Sequence, residues 1–156
     1  MEKHYYNVDV NWSTERKGTV CSPEIDQFNT ENKCIEVATP PEFPKGIPGI
    51  WTPEHLFTAA VSSCLMTTFL AIAENSKLEF ISFSCRSKGV LEQVEGKFIM
   101  SEIILEPTII INDEKDRDRA ERVIQKSEAA CLISNSIISK ITMISKITMI
   151  STIKTS

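Results

Sequence analysis

The sequence predicts an α+β domain, and three observations lead to it. Short alternating runs open the chain, a long and almost uncharged helix follows, and two long β-like runs then precede a second helix. Tyr5 to Trp12 alternates, with Tyr6, Val8 and Val10 on one face, and reads as a strand. Residues 13–18 form a turn, and Thr19 to Ser22 return as the second strand of a hairpin. Residues 33–38 read as a third short strand. Between Pro40 and Gly49, four prolines and two glycines forbid regular structure, leaving a rigid loop that delivers the chain to a helix.

The start of that helix is well marked. Thr52 suits the N-cap, Pro53 the first helical position and Glu54 the positive end of the helix dipole. From Pro53 to Asn75 no acidic or basic charge intervenes between Glu54 and Glu74. The apolar residues Leu56, Phe57, Ala60, Val61, Leu65, Met66, Phe69, Leu70 and Ile72 run nearly all round it, which predicts a buried central helix. Glu79 to Leu91 and Lys97 to Ile111 read as strands turning at Val94-Glu95-Gly96. A second, amphipathic helix is expected over Glu114–Ala130, with Ala120, Val123, Ile124 and Ser127 on its inner face. In the tail, Ile-Ser-Lys-Ile-Thr-Met occurs twice in tandem, at 138–143 and 144–149. Six is even, so the repeat keeps Ile141, Met143, Ile147 and Met149 on one strand face and Lys140 and Lys146 on the other. A native strand extension and a duplication artefact are equally compatible with the residues alone. The whole, residues 1–156, is read as one domain.

A formal net charge of −4 argues against a general nucleic-acid binder. The start of the chain has no apolar signal-like core, and the longest uninterrupted apolar run falls short of the roughly 18 residues that cross a bilayer, so the cytoplasm is the expected location, with no membrane partner. Five cysteines stand at 21, 34, 64, 85 and 131, with no C-x-x-C pair, and the only histidines are His4 and His55. Ligand supply and spacing therefore disfavour zinc, and no cofactor is expected. The odd count argues against a disulfide framework. Cys21, Cys34 and Cys85 lie in strand-like runs and are read as inert thiols.

The run Trp51-Thr52-Pro53-Glu54-His55-Leu56-Phe57-Thr58-Ala59-Ala60-Val61-Ser62-Ser63-Cys64, with Cys131-Leu132-Ile133-Ser134-Asn135 after the second helix, resembles the OsmC/Ohr family. Arg16-Lys17-Gly18 in the first hairpin is a weaker third element. The resemblance covers roughly residues 5 to 140. It implies an intertwined α+β homodimer, a long central helix packed on antiparallel sheets, and active sites at the subunit interface. It implies a thiol peroxidase that reduces organic hydroperoxides, and hydrogen peroxide less well, drawing on an external dithiol such as a lipoyl-type donor. Cys64 would attack, Cys131 resolve, Arg16 activate and Glu54 orient the arginine. One departure stands out: the second motif commonly reads Cys-Pro-x-Ser, and Leu132 replaces that proline here.

Peroxide reduction needs a thiolate, and a free cysteine with a pKa near 8.5 is only a few per cent ionised at neutral pH. Cys64 lies about 18 Å along the helix from Thr52, beyond the reach of the helix dipole. Burial would raise its pKa, so a cation must come from elsewhere, and Arg16 is the residue the resemblance supplies, with Lys17 and Arg86 as substitutes. Arginine keeps its charge and offers several donors to a developing alkoxide. Glu54 and Cys64 are separated by about 15 Å along one helix and by about 80° around it. If both serve one pocket, Glu54 comes from the partner subunit. Trp51 and Phe57 are candidates to line an apolar substrate pocket, and His55 is read as structural. A redox sensor using the same cysteines, and a non-catalytic protein holding a small apolar ligand, are the competing functions.

Overall fold

The computed structural model describes residues 1–150; residues 151–156, the end of the expected tail, lie outside the described residues. By its internal contacts the chain divides into two compact units, Met1–Leu56 and Phe57–Ser156.

The first unit is a three-stranded antiparallel sheet in the order β1 (Asp9–Thr14), β2 (Lys17–Cys21), β3 (Ile35–Ala38). The first strand begins later than the alternation suggests, and all six of its residues are exposed. Glu15 takes a left-handed conformation (φ 50°) in the two-residue turn, which puts Arg16 at the hairpin tip. The carbonyl of Arg16 accepts the N–H of Thr39 at 3.0 Å, tying the tip to the chain leaving β3. Gly18 is required by close approach: a Cβ there would stand 2.3 Å from the Asn11 carbonyl oxygen across the hairpin. A short helix, α1 (Pro23–Asp26), follows β2 in a stretch to which the sequence analysis assigned no element. Its signals are Ser22 at the N-cap, proline in the first turn and the acidic Glu24.

Two of the cysteines read as inert are joined. Cys21 and Cys34 form a disulfide, with Cα atoms 4.4 Å apart. The antiparallel register explains the pairing. Val20 faces Ile35, so the next positions outward, Cys21 and Cys34, stand opposite each other as β2 and β3 part. An odd cysteine count excludes a framework that pairs every thiol, not a single bridge. Such bonds persist in oxidising compartments and are mostly transient or redox-sensing elsewhere. Closing a loop of this length constrains the unfolded chain by about 3 kcal/mol. Cys34→Ser, or reduction of the bond, is therefore expected to lower the melting temperature of the oxidised protein. Superimposable melting curves would show that the bridge contributes nothing.

The second unit is built on one sheet. β4 (Ser82–Val94) and β5 (Lys97–Ile111) form a long antiparallel hairpin. Glu95 and Gly96, both at positive φ, make its two-residue turn. On the other edge of β5 lie β6 (Lys140–Met143) and β7 (Lys146–Met149), both parallel to it. The sheet is therefore mixed, where antiparallel pairing was expected. Parallel neighbours need a long crossover, and α3 (Arg117–Ala130), entered through a 3₁₀ turn at Glu114–Asp116, supplies it between β5 and β6. Its buried face is Ala120, Val123, Ile124 and Ser127, the residues the amphipathic pattern marks.

The two copies of the duplicated hexapeptide carry β6 and β7, laid end to end along one edge of β5. In the first copy Ile141 and Met143 stand beside Ile103 and Leu105; in the second, Ile147 and Met149 stand beside Ile109 and Ile111. Ile144 donates its N–H to the Leu105 carbonyl at 2.8 Å and bridges the two copies. Ile147 is buried, and Ile141, Met143 and Met149 pack against the core.

That core takes Ile103, Leu105, Ile109 and Ile111 from alternate positions of β5 and Val61, Leu65, Phe69 and Ala73 from α2 (Pro53–Asn75). The two contributions follow the periods of strand and helix. Gly89 in β4 admits the helix closely, since a Cβ there would lie 2.2 Å from Thr58 Oγ1. The expectation of a fully buried α2 is corrected. One stripe is buried, while Met66 and Leu70 on other sides are 39% and 43% exposed in the single chain. By length and composition α2 could also cross a bilayer, with a mean hydropathy of 1.9, although no uninterrupted apolar run in it is that long.

Candidate active site

Cys64 sits on the flank of the buried α2 stripe, next to Leu65 and one turn after Val61, and this leaves its thiol half-buried. Thr68, one turn further on the same side, places Oγ1 4.0 Å from Sγ. Cys131 is buried at the C-cap of α3, its N–H donating to the Glu128 carbonyl. The chain then turns sharply. The Asn135 N–H donates to the Cys131 carbonyl at 3.1 Å, the Asn135 side-chain amide to the Ala129 carbonyl at 3.1 Å, and the Ser136 hydroxyl to the Leu132 carbonyl at 2.7 Å.

This turn stands close enough to Cys64 for Ile133, Cys131 and Leu132 to influence its ionisation. Burial pushes the Cys64 thiol up, but the donation from Ile133, Cys131, Thr68 and Leu132 outweighs it, and its pKa lies below that of an ordinary cysteine. Cys131 moves the other way. Burial raises it, the neighbouring Ser134 lowers it, and the proximity of Cys64 raises it again, leaving its pKa above the ordinary value. Of the two sulfurs, Cys64 ionises first and Cys131 keeps its proton to donate. The lowering of Cys64 thus has a source the sequence did not disclose, main-chain amides where only a cation was expected.

Arg16 and Glu54 line one cavity of about 590 Å³ in the first unit, together with Trp12, Lys17, Phe43 and Pro53. Lys17 is engaged in a partly exposed ion pair with Glu36 at 3.5 Å. Glu54 is carried by the first turn of α2, whose start is fixed by a reciprocal cap. The Thr52 N–H donates to His55 Nδ1 at 3.2 Å, and the His55 N–H donates to Thr52 Oγ1 at 3.2 Å. His55 takes the place a glutamate holds in a capping box. Trp51 is half-exposed, meets His55 edge-on, and bridges to Val37 through its backbone. Phe57 belongs to the second unit, where it lines an apolar groove with Ile99, Met100, Ile137 and Ile138. Arg86 lines a separate cavity of that unit beside Cys85, whose thiol lies 3.5 Å from the Ser87 hydroxyl. Among the described residues no three His, Cys, Asp or Glu side chains cluster as metal ligands.

Comparison with known proteins adds to this geometry. A family model described as OsmC-like protein matches residues 46–146. The uncharacterized protein YmaD of Bacillus subtilis (strain 168) is 24% identical over 147 residues, covering 92% of this chain and 93% of its own length. An OsmC-like protein of unknown function from Vibrio cholerae superposes with a TM-score of 0.78 at 20% identity, over 92% of this chain and 99% of its own. An organic hydroperoxide resistance protein from Elizabethkingia anophelis superposes with a TM-score of 0.70 at 22% identity, over 94% and 99% of the two chains.

Proposed function

The chain belongs to the OsmC-like family, and from that premise we propose that it is a thiol peroxidase that reduces organic hydroperoxides through Cys64 and Cys131. The observation that carries this reading is the asymmetry of two neighbouring free thiols, Cys64 half-buried with a lowered pKa and Cys131 buried at the end of α3 with a raised one. The reaction follows from that asymmetry. The Cys64 thiolate attacks the terminal peroxide oxygen; an S–O bond forms, the O–O bond breaks, and the leaving alkoxide takes a proton to become the alcohol. Cys64 is now a sulfenic acid. The Cys131 thiol then attacks that sulfur and displaces its hydroxyl as water, and a Cys64–Cys131 disulfide forms. An external dithiol reduces that disulfide by exchange and becomes a disulfide itself. No bound cofactor enters the cycle, and a cytoplasmic location would keep the dithiol donor regenerated.

The pocket is completed in a homodimer. Two observations support this. The apolar surface of α2 outside its core stripe includes the exposed Met66 and Leu70, which suits burial against a second copy. Glu54 and Cys64, about 15 Å apart along that helix, cannot meet around one small substrate within a chain. Arg16 and Glu54 of one subunit would then face the cysteine pair of the other, the guanidinium meeting the developing alkoxide.

The test is consumption of an organic hydroperoxide with a dithiol supplied. Repeated turnover is expected. Consumption of one equivalent per subunit would favour a sensor, and none at all would favour a binding protein.

A further inference from the structure

We propose that Cys21–Cys34 is a redox-active bond, opened and closed by external dithiols, and that it works as a latch on the first unit. Closed, it pins the 22–33 segment and the residues ahead of β1 to the sheet; open, it releases both. The latch takes the class of its reductant from the peroxidase reading, and its test uses no peroxide.

The bond stands where release is easy. Both cysteines are only half-buried, so a small thiol can reach the bridge, and access is one of the conditions that set the rate of exchange. Between them, Pro23 and residues 25–33 are exposed, no residue of α1 is buried, and the apolar Ile25 and Phe28 are 51% and 83% exposed. The segment therefore carries no core of its own. Beyond the bridge, it is held through Glu24. That carboxylate accepts the Asn7 main-chain N–H at 2.9 Å, the Asn7 side-chain amide, and the Ser22 hydroxyl at 2.6 Å. The Ser22 hydroxyl and then the Asn7 donors hold its pKa down at about 2, so it stays charged at any physiological pH. Asn7 lies two residues ahead of Asp9, which opens β1 opposite Cys21. One bridge and one carboxylate thus fix both the segment and the start of the chain. A region with few buried contacts opens readily, and here the covalent bond is what opposes it.

The chemistry is thiol–disulfide exchange. A thiolate of the dithiol attacks one sulfur of the bridge and the S–S bond breaks, leaving a mixed disulfide. The second thiol of the reductant then displaces the protein sulfur. The dithiol ends as its own disulfide, and Cys21 and Cys34 end as two thiols. In a compartment that regenerates such a dithiol, protein disulfides are mostly transient and report the redox state. The effect reaches the cavity that holds Arg16 and Glu54. β3 pairs with β2 over four positions, and Val20–Ile35, beside the bridge, is the outermost of them. With the bond open, β3 is free to fray from Ile35 toward Val37 and Ala38, which line that cavity together with Lys17 and Gly18.

The wild-type chain, oxidised in air, is treated with millimolar dithiothreitol in native buffer. Alkylation followed by peptide mass spectrometry reports Cys21 and Cys34, circular dichroism the fold, and amide hydrogen exchange the release. The bond is expected to open without denaturant and with the spectrum kept. The Asn7 amide and residues 22–38 are expected to exchange roughly tenfold faster once it is open, while the buried stripe of α2 keeps its protection. Glu24→Ala in the oxidised protein is expected to free the Asn7 amide with the bridge intact. A bond that never forms, that resists reduction until denaturant is added, or whose reduction melts the whole fold would overturn the latch. Opening that leaves Asn7 and residues 35–38 as protected as before would overturn it equally, and so would an Asn7 amide as slow in Glu24→Ala as in the wild type. Absence of peroxide turnover in a protein that passes these tests would instead count against the peroxidase reading and leave the latch standing.

Discussion

Cys64→Ser is expected to abolish turnover of an organic hydroperoxide while leaving the protein folded. Serine keeps nearly the volume of cysteine, so the flank of the α2 stripe beside Leu65 is undisturbed, but its hydroxyl does not ionise at neutral pH and supplies no nucleophile. Circular dichroism reports the fold and peroxide consumption the activity; retention of most of the wild-type rate would remove Cys64 from the mechanism. The same variant tests the shared pocket. Glu54→Ala is expected to be nearly inactive as well, yet unfolding and refolding the two inactive proteins together should restore about a quarter of wild-type activity. Random pairing of symmetric dimers makes about half of them mixed. Each mixed dimer has one pocket with an intact Cys64 from one chain and an intact Glu54 from the other. If each chain furnished its own Glu54, every pocket would carry a lesion and the mixture would stay dead. Mass-tagged subunits establish that exchange occurred.

The second large effect is assigned to Arg16. Arg16→Met is expected to slow peroxide reduction roughly a hundredfold, the loss of about 3 kcal/mol of charge stabilisation at the developing alkoxide. Its effect on the Cys64 thiol is expected to be small. The pKa of that thiol is already lowered by donors from its own unit, so alkylation measured against pH should stay close to the wild-type profile. A rate loss matched by a displaced alkylation profile would mean that the cation, not the turn, sets the thiolate. An unchanged peroxide rate would leave Arg16 as a solvated residue of a hairpin tip. The pH dependence has a definite sign. Activity should rise with pH through a Cys64 midpoint below that of free cysteine, because the lowered pKa means the thiolate is lost only as pH falls through that value.

Much of this was legible in the sequence, for identifiable reasons. Pro53–Asn75 could be bounded to the residue because a cap, a proline and an acidic first turn mark its start and the charge-free stretch ends at Glu74. The inner face of α3 could be named because four residues at helical spacing stand out from a polar helix. Lys97–Ile111 could be bounded because the Val94-Glu95-Gly96 turn precedes it and Asn112-Asp113 ends it ahead of the next helix. Features set by register between distant segments escaped. The Cys21–Cys34 bridge depends on how β2 pairs with β3, and no local pattern displays that. The parallel course of β6 and β7 depends on the crossover through α3, whereas their residues show only that they are strands. For the site, Cys64 and Cys131 could be named from their motifs, but the lowering of the first thiol could not, because it depends on the turn after α3 that the fold brings beside it.

The doubled hexapeptide has a consequence for the life of the protein outside its active site. Each copy occupies one stretch of the β5 edge, the first beside Glu102–Leu105 and the second beside Thr108–Ile111. A lone copy would leave about four residues of a β-branched strand with unanswered main-chain donors and acceptors, a ready template for another molecule's strand. The repeat therefore moves the margin outward: two strands of four residues, β6 and β7, present the outer row of main-chain groups in place of the fifteen-residue β5, and short edge strands are poorer templates than long ones.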